Sequence, residues 1–226
     1  MTRQRGWAVA LLYASHRVLS LLTGGRGRVI SYELVAQPIG AGHLSSVRDD
    51  PGTQIQLIQP LDAVVSKFPR PSHINEQRWA QGANCYGALV KGEFAGTIWI
   101  QSRCYEEDEV RCDFLMNDPQ TVWDFDVYVE PRYRLGRTLG RLWKAVDQHL
   151  SNQGVRWTFS RISRFNAESL NAHARLGAIS VGQATFLTWG RWEAGWSRTS
   201  AGCRFSCSRN RRVCIELVAP TSTSAN

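Results

Sequence analysis

Apolar and polar residues along the chain follow two periods, one helical and one strand-like. Trp7, Leu11, Val18 and Leu22 fall on one helical face, which predicts an amphipathic N-terminal helix. After Gly24-Gly25, "RVISYELVAQPI" reads as a strand stopped by Pro38, and Gly40 to Gly52 as a loop. "TQIQLIQP" predicts a short strand, "LDAVVSKF" a helical turn or two, and "INEQRWAQG" a short helix ended by Gly82. "CYGALV" and "FAGTIWIQS", joined by "KGE", predict a hairpin. Residues 103–120, with the acidic run "YEEDEV", read as an excursion from the sheet.

"VWDFDVYV" alternates cleanly. Trp123, Phe125, Val127 and Val129 should share one face, and Asp124, Asp126 and Tyr128 the other. Leu139, Leu142, Trp143, Val146 and Leu150 then recur at helical spacing up to Gly154. "VRWTFSRI" is a further strand, and Asn166 is a good N-cap for a helix through Leu176, closed by Gly177. "ISVGQATFLTW" and "RRVCIELVAP" complete the strands. The order predicts an α/β fold: a mixed, mostly antiparallel sheet flanked by helices, with an N-terminal helix-strand extension.

Composition adds size and charge. The 226 residues are 43% hydrophobic, enough for one large core. The net charge of +8 is unevenly spread: residues 1–30 carry +5, 31–130 carry −8, 131–176 carry +7 and 177–226 carry +4. A basic region beside an acidic one suggests that one part holds a polyanion and another faces a cation. Cys203, Cys207 and Cys214 lack the tight paired spacing of a zinc site, so no metal is expected and the six cysteines read as reduced. The apolar run from Trp7 to Ala14 is too short to span a bilayer. Helix 7–22 is therefore expected to pack on the domain, on a partner subunit as in a homodimer, or on a membrane surface.

The candidate chemistry lies in "PRYRLGRTLGRLW", residues 131–143, where a strand gives way to a helix through glycines and arginines. Backbone N–H groups and positive charge at such a junction suit a phosphate. The chain has neither Gly-x4-Gly-Lys-Ser/Thr nor Gly-x-Gly-x-x-Gly, so a nucleotide P-loop and a dinucleotide fold are not indicated.

What remains is "VYVEPRYRLGRTLGRLW" followed by "GVRWTFSRISRFNAESLNAHARLGA". In order and spacing these segments resemble the GNAT superfamily of N-acetyltransferases, over residues 121–190, with a weaker match in element order back to Thr53. The stretch also resembles a group of uncharacterised bacterial GNAT proteins. The resemblance implies a GNAT-like acyltransferase domain over 53–220, an N-terminal extension over 1–52 and a disordered tail over 221–226.

It further implies that acetyl-CoA is the acyl donor. The amides of Leu135, Gly136, Arg137, Thr138, Leu139 and Gly140, with the charges of Arg134 and Arg137, would hold its pyrophosphate. Backbone groups of Val127 and Val129 would pair with its pantetheine arm, with Asn166 opening the next helix of the site. Thr138 stands where the family has its middle glycine and Leu135 where it has arginine, so the Arg-Gly pair matches only with a shift of one residue.

His173 occupies the position of the family's proton-donating tyrosine; Asp124 or Asp126 would serve as base, or else hydrogen-bond loop amides or pair with arginines. The acidic run at Glu106, Glu107, Asp108 and Glu109 is either solvated surface or a lure for a cationic acceptor. The expected reaction is acetyl transfer to a primary amine, on a small molecule or a peptide, in the cytoplasm. Alternatives left open are a longer acyl group delivered by acyl-CoA or acyl carrier protein, and a nucleic-acid-binding or non-catalytic module, for which no binding motif is present.

Overall fold

The computed structural model describes residues 3–220, with side chains described from residue 9 onward. The expected tail at 221–226 and the side chain of Trp7 lie outside the described residues. The chain forms two compact units: one drawn from Met1–Gln37, Cys104–Asp118 and Phe159–Asn226, the other from Pro38–Arg103 and Pro119–Thr158.

The second unit contains strands β2 (Thr53–Ile58), β3 (Asn84–Val90), β4 (Glu93–Ser102) and β7 (Thr121–Val129). They pair antiparallel in the order β2–β3–β4–β7. A 3-10 turn at Ala63–Lys67 and helix α2 (Ser72–Ala80) follow β2, and helix α3 (Thr138–Asn152) follows β7. Helix α3 buries Leu142, Trp143, Val146 and Leu150 of the stripe its spacing predicts, while Leu139 in its first turn stays exposed. Cys85, Trp99 and Ile58 form a core against which Phe68, Trp79 and Phe125 pack. The loop 39–52 is tied to α3 throughout: Gly40 N–H donates to Asp147 (2.9 Å), Lys144 donates to Asp49 (2.8 Å), and Arg141 pairs with Asp50 (3.0 Å).

The first unit contains helix α1 (Arg3–Leu22), strand β1 (Gly27–Pro38) up to Gln37, β5 (Cys104–Glu106) and β6 (Cys112–Met116). Its later part holds most of β8 (Trp157–Ser163), helix α4 (Ala167–Arg175), β9 (Ile179–Trp189), β10 (Trp192–Thr199), β11 (Gly202–Ser208) and β12 (Val213–Leu217). Strand β1 pairs antiparallel with β9 from Gly27–Trp189 to Ala36–Ile179, and β9, β10 and β11 continue as a meander. Strand β12 runs parallel to β6, whose other side carries β5, as a separate three-stranded sheet. The excursion read at 103–120 is thus two strands of that sheet. Strands β10 and β11 were not anticipated either, although Trp192, Ala194 and Trp196 alternate in the sequence.

Candidate active site

Strand β7 does not keep its alternation. Phe125 pairs with Trp99 and Tyr128 with Thr97, so Asp126 and Val127 together face Ile98. This is a β-bulge, and Asp126 takes the left-handed conformation at φ 47°. The bulge corrects the predicted faces: Tyr128 joins the Phe125 side, stacking on Phe94, while Val129 joins the Asp124 side. Beyond the bulge β4 and β7 approach closely at Gly96, where a Cβ would strike the Tyr128 carbonyl oxygen.

The two aspartates expected to share a face have different surroundings. Asp126 accepts from Arg70 Nε and Nη2 (3.0 Å) and from Arg78 Nη1 (2.6 Å). Burial raises its pKa, but the two guanidinium groups outweigh that and hold it below the ordinary carboxylate range. Arg78 is itself nearly buried and lies over the Trp99 and Phe125 rings at 5.2 and 5.1 Å. Asp124 is buried and accepts from Thr158 Oγ1 at 2.7 Å.

Val129 leads through Glu130 into a 3-10 turn at Pro131–Tyr133 and the exposed segment Arg134–Arg137. The arginines here differ in employment. Arg132 pairs with Glu93 (2.6 Å), and Arg141 with Asp50. Arg134 donates from Nε to the Val129 carbonyl (2.9 Å) and forms no ion pair among the described residues; neither does Arg137. Leu135 is fully exposed, and Gly136 N–H is already given to the Tyr133 carbonyl at 3.1 Å.

The first helical hydrogen bond of α3 runs from Arg141 N–H to the Arg137 carbonyl (2.9 Å). The N–H groups of Thr138, Leu139 and Gly140 therefore have no carbonyl one turn earlier to meet. Arg137 at the N-cap supplies no side-chain acceptor, and the first turn contains no acid. Open donors, the positive dipole end and adjacent arginines make this helix start electrostatically favourable for an anion.

Asn166 and His173 belong to the first unit. Asn166 caps α4, its Oδ1 accepting from Ser169 N–H at 3.0 Å. His173 is half-buried on that helix, and burial lowers its pKa, which keeps the imidazole neutral at pH 7. The acidic run is more than solvated surface. Glu107 is buried and held in a bidentate pair with Arg161, and Glu109 accepts from Tyr32 O–H at 2.6 Å. The Arg161 guanidinium also covers the Tyr32 ring at 4.6 Å. Pairing of Asp126 with arginines was one of the two readings of the sequence, but Arg70 and Arg78 were not singled out as the partners. Two arginines ahead of a strand with two aspartates were the available signal.

No protein-family model and no curated protein matches the chain. Among solved structures it is similar to a functionally unknown conserved protein from Staphylococcus epidermidis, with 13% identity, a TM-score of 0.52, and coverage of 77% of this chain and 67% of that one. A protein assigned to the GNAT family from Novosphingobium aromaticivorans is 20% identical, with a TM-score of 0.46 over 72% of this chain and 66% of that one. A tandem GNAT protein of the clavulanic acid biosynthesis pathway is 16% identical, with a TM-score of 0.48 over 71% of this chain; this chain spans about half of its length, 53%. The likeness to the staphylococcal protein is one of fold; the other two are fainter. Among the described residues no helix is long and apolar enough to cross a membrane, and no cluster of His, Cys, Asp or Glu has the makings of a metal site.

Proposed function

We propose that the chain is a GNAT-type N-acyltransferase that moves an acetyl group from acetyl-CoA to a primary amine. The observation that carries this reading is the open N-terminus of α3 beside Arg134 and Arg137, directly after a bulged strand. It supplies donors and charge for a pyrophosphate where the sequence resemblance expects one. Arg134 and the amides from Leu135 to Gly140 take that role, except that Gly136 N–H is committed internally.

The reaction has a simple balance. An amine nitrogen attacks the thioester carbonyl carbon, the C–S bond breaks, and the thiolate leaves. The ammonium must first lose a proton, and a second proton leaves nitrogen as the intermediate collapses and ends on sulfur. In this reading the bulge at Asp126–Val127 presents a backbone N–H to the developing oxyanion. Asp126, held by two guanidinium groups, is too weak a base to deprotonate an ammonium and acts by fixing the bulge. Asp124 remains the carboxylate candidate on β7. His173, neutral at pH 7, can accept a proton and return it to the thiolate.

The test is calorimetric titration with acetyl-CoA, followed by a primary-amine panel assayed for free thiol. Binding that Arg137→Glu weakens by at least about tenfold, or 1.4 kcal/mol, is the expected result. This variant is preferred to Gly140→Asp, because a Cβ at Gly140 would press on Val47 at 3.3 Å and confound fold with affinity. Undiminished binding in Arg137→Glu would remove α3 as the phosphate site.

A further inference from the structure

The meander β9–β10–β11 has one face turned inward and one turned outward. Ala184, Phe186 and Thr188 on β9, and Glu193 and Ser197 on β10, are buried. The alternate positions should carry polar side chains on a water-facing sheet. They carry Leu187, Trp189, Trp192, Trp196 and Phe205 instead, exposed by 48, 63, 50, 47 and 74%. These five side chains are neighbours by register: Trp189 faces Trp192, Leu187 faces Ala194, and Trp196 faces Phe205. Isolated exposed apolar residues need no explanation, but a contiguous aromatic patch on one sheet face does.

Helix α1 lies on the same face. Gly27 is opposite Trp189, and a Cβ at Gly27 would meet the Leu19 side chain, so the helix covers that side of β1. It is fastened there by Val29 N–H donating to His16 Nδ1 (3.2 Å) and by Tyr13 set edge-on against Phe165. Its own Leu11, Val18, Leu21 and Leu22 remain exposed. Exposed apolar side chains thus occur on both the helix and the sheet face it packs on, within one unit.

The exposed charge on this surface is basic: Glu33, opposite Gln183 on the same face, is mostly shielded, accepting from Ser180 and Gln183 and pairing with Arg164 at 3.8 Å. Between residues 177 and 208 the only acid is Glu193, which is buried and accepts from Arg111 N–H at 2.9 Å. Arg198 shares the outward face with Trp196, and the Arg209 guanidinium lies over the Trp192 ring at 4.4 Å. The N-terminal segment has arginines and no acid before Glu33.

We infer that this face, the meander together with α1, docks on an anionic lipid bilayer surface. Indole rings beside arginine suit the headgroup level, where an apolar body and a cationic tip are both satisfied. Charge decides against a second copy of the chain, since a two-fold contact would set arginine against arginine, and the acid on this face, Glu33, is already held by Ser180, Gln183 and Arg164. The aliphatic share decides against a nucleic acid: Leu187 and the α1 leucines have no π-face for a base and no hydrogen bond to give. The inference is independent of the acyl-transfer reading and goes beyond the helix-only contact read from residues 7–22.

The experiment is co-sedimentation of the full chain with vesicles of phosphatidylcholine alone or mixed with phosphatidylglycerol. It is run beside sizing of the free chain and titration with single-stranded polyuridine. Binding to the mixed vesicles should exceed binding to neutral ones by at least about tenfold and fall as salt rises. The double variant Trp196→Glu/Phe205→Glu, with wild-type circular dichroism, should lose at least about tenfold of that binding. Leu61→Glu, at a site 98% exposed in the other unit, should lose none. Brominated acyl chains should quench tryptophan emission in the wild type. Three results would overturn the inference: no preference for anionic vesicles, equal binding by the double variant, or a patch-dependent dimer or polyuridine complex without vesicle binding.

Discussion

Helices α3 and α4 each follow a strand, yet their first turns are built in opposite ways. At α4 the strand β8 delivers an asparagine, its side chain takes the Ser169 N–H, and Glu168 sits in the first turn against the positive end of the dipole. At α3 an arginine stands at the N-cap, no side chain accepts, and no acid lies in the turn. Capping is worth about 1 kcal/mol, so an uncapped start with a cation beside it forgoes stability. The strand before α3 is also under local constraint, with Asp126 at φ 47°. A closed helix end needs nothing from outside, whereas an open one beside arginines without ion-pair partners leaves its donors and charge to water or to an anion. On the proposed reading, the contrast separates a structural junction from a ligand-binding one.

The largest test is at the bulge. Arg78 and Asp126 are both mostly shielded, and Arg78→Ala would leave the carboxylate with Arg70 alone. Breaking a buried pair costs about 3–5 kcal/mol. Asp126 is 18% and Arg70 52% exposed, so the loss should fall at the lower end, about 3 kcal/mol in urea denaturation. The pH dependence has a definite sign. Asp126 has a folded pKa below its unfolded one, so its contribution is present above the unfolded value near 4 and is lost as pH falls through the folded value. Arg78→Ala should flatten the stability curve below about pH 4. An unchanged acid limb would mean that the bulge is held by something other than this pair.

His173 comes next. If its neutral imidazole moves the proton, His173→Ala should lower single-turnover transfer by at least about 100-fold while leaving acetyl-CoA affinity nearly unchanged. Burial depresses its pKa below 6.5, so wild-type turnover should rise with pH through a value below that and level off by neutrality. The variant should lose this inflection. A retained inflection would assign it to another group.

Much of this was legible in the sequence, for physical reasons that differ by element. Helix α3 has a strong apolar stripe and a clear glycine stop, and Asn166 is a cap by residue type, so both were readable locally. The bulge was not, because "VWDFDVYV" alternates without fault; the irregularity lies where Arg70 and Arg78, about 50 residues away, grip Asp126. Strands β5 and β6 were hidden for a similar reason. The acidic run between them looks solvated until Arg161 arrives from β8 to neutralise Glu107. Of the site, the arginine loop could be read from composition and order, but which arginines stay unpaired depended on the partners Glu93 and Asp50.

The open end of α3 can be closed deliberately. Arg137→Asp would place a good cap acceptor where none exists and add a negative charge at the dipole's positive end. Stability should rise by about 1 kcal/mol in thermal denaturation, and acetyl-CoA affinity should fall by at least about tenfold. Gain and loss in one variant would mark the N-terminus as held open for a ligand. A variant that gains stability and keeps its affinity would leave the uncapped end as mere tolerance.

The smallest effect belongs to the closed end. Asn166→Ala removes the acceptor for Ser169 N–H and should cost about 1 kcal/mol, while Asn166→Asp should restore it, because a carboxylate caps as well as an amide. Neither should change acetyl-CoA affinity if Asn166 serves α4 and nothing else. The sequence resemblance gave Asn166 a place in the cofactor site, and the Nδ2 group remains available for such a contact. The two variants distinguish these roles, since Asp keeps the cap but loses the Nδ2 donor and adds a negative charge. Equal affinity in wild type, Ala and Asp makes Asn166 a helix cap alone. Affinity lost in both Ala and Asp, with stability lost only in Ala, would move it into the acetyl-CoA site and narrow the contrast between the two helices to the arginines that flank only one of them.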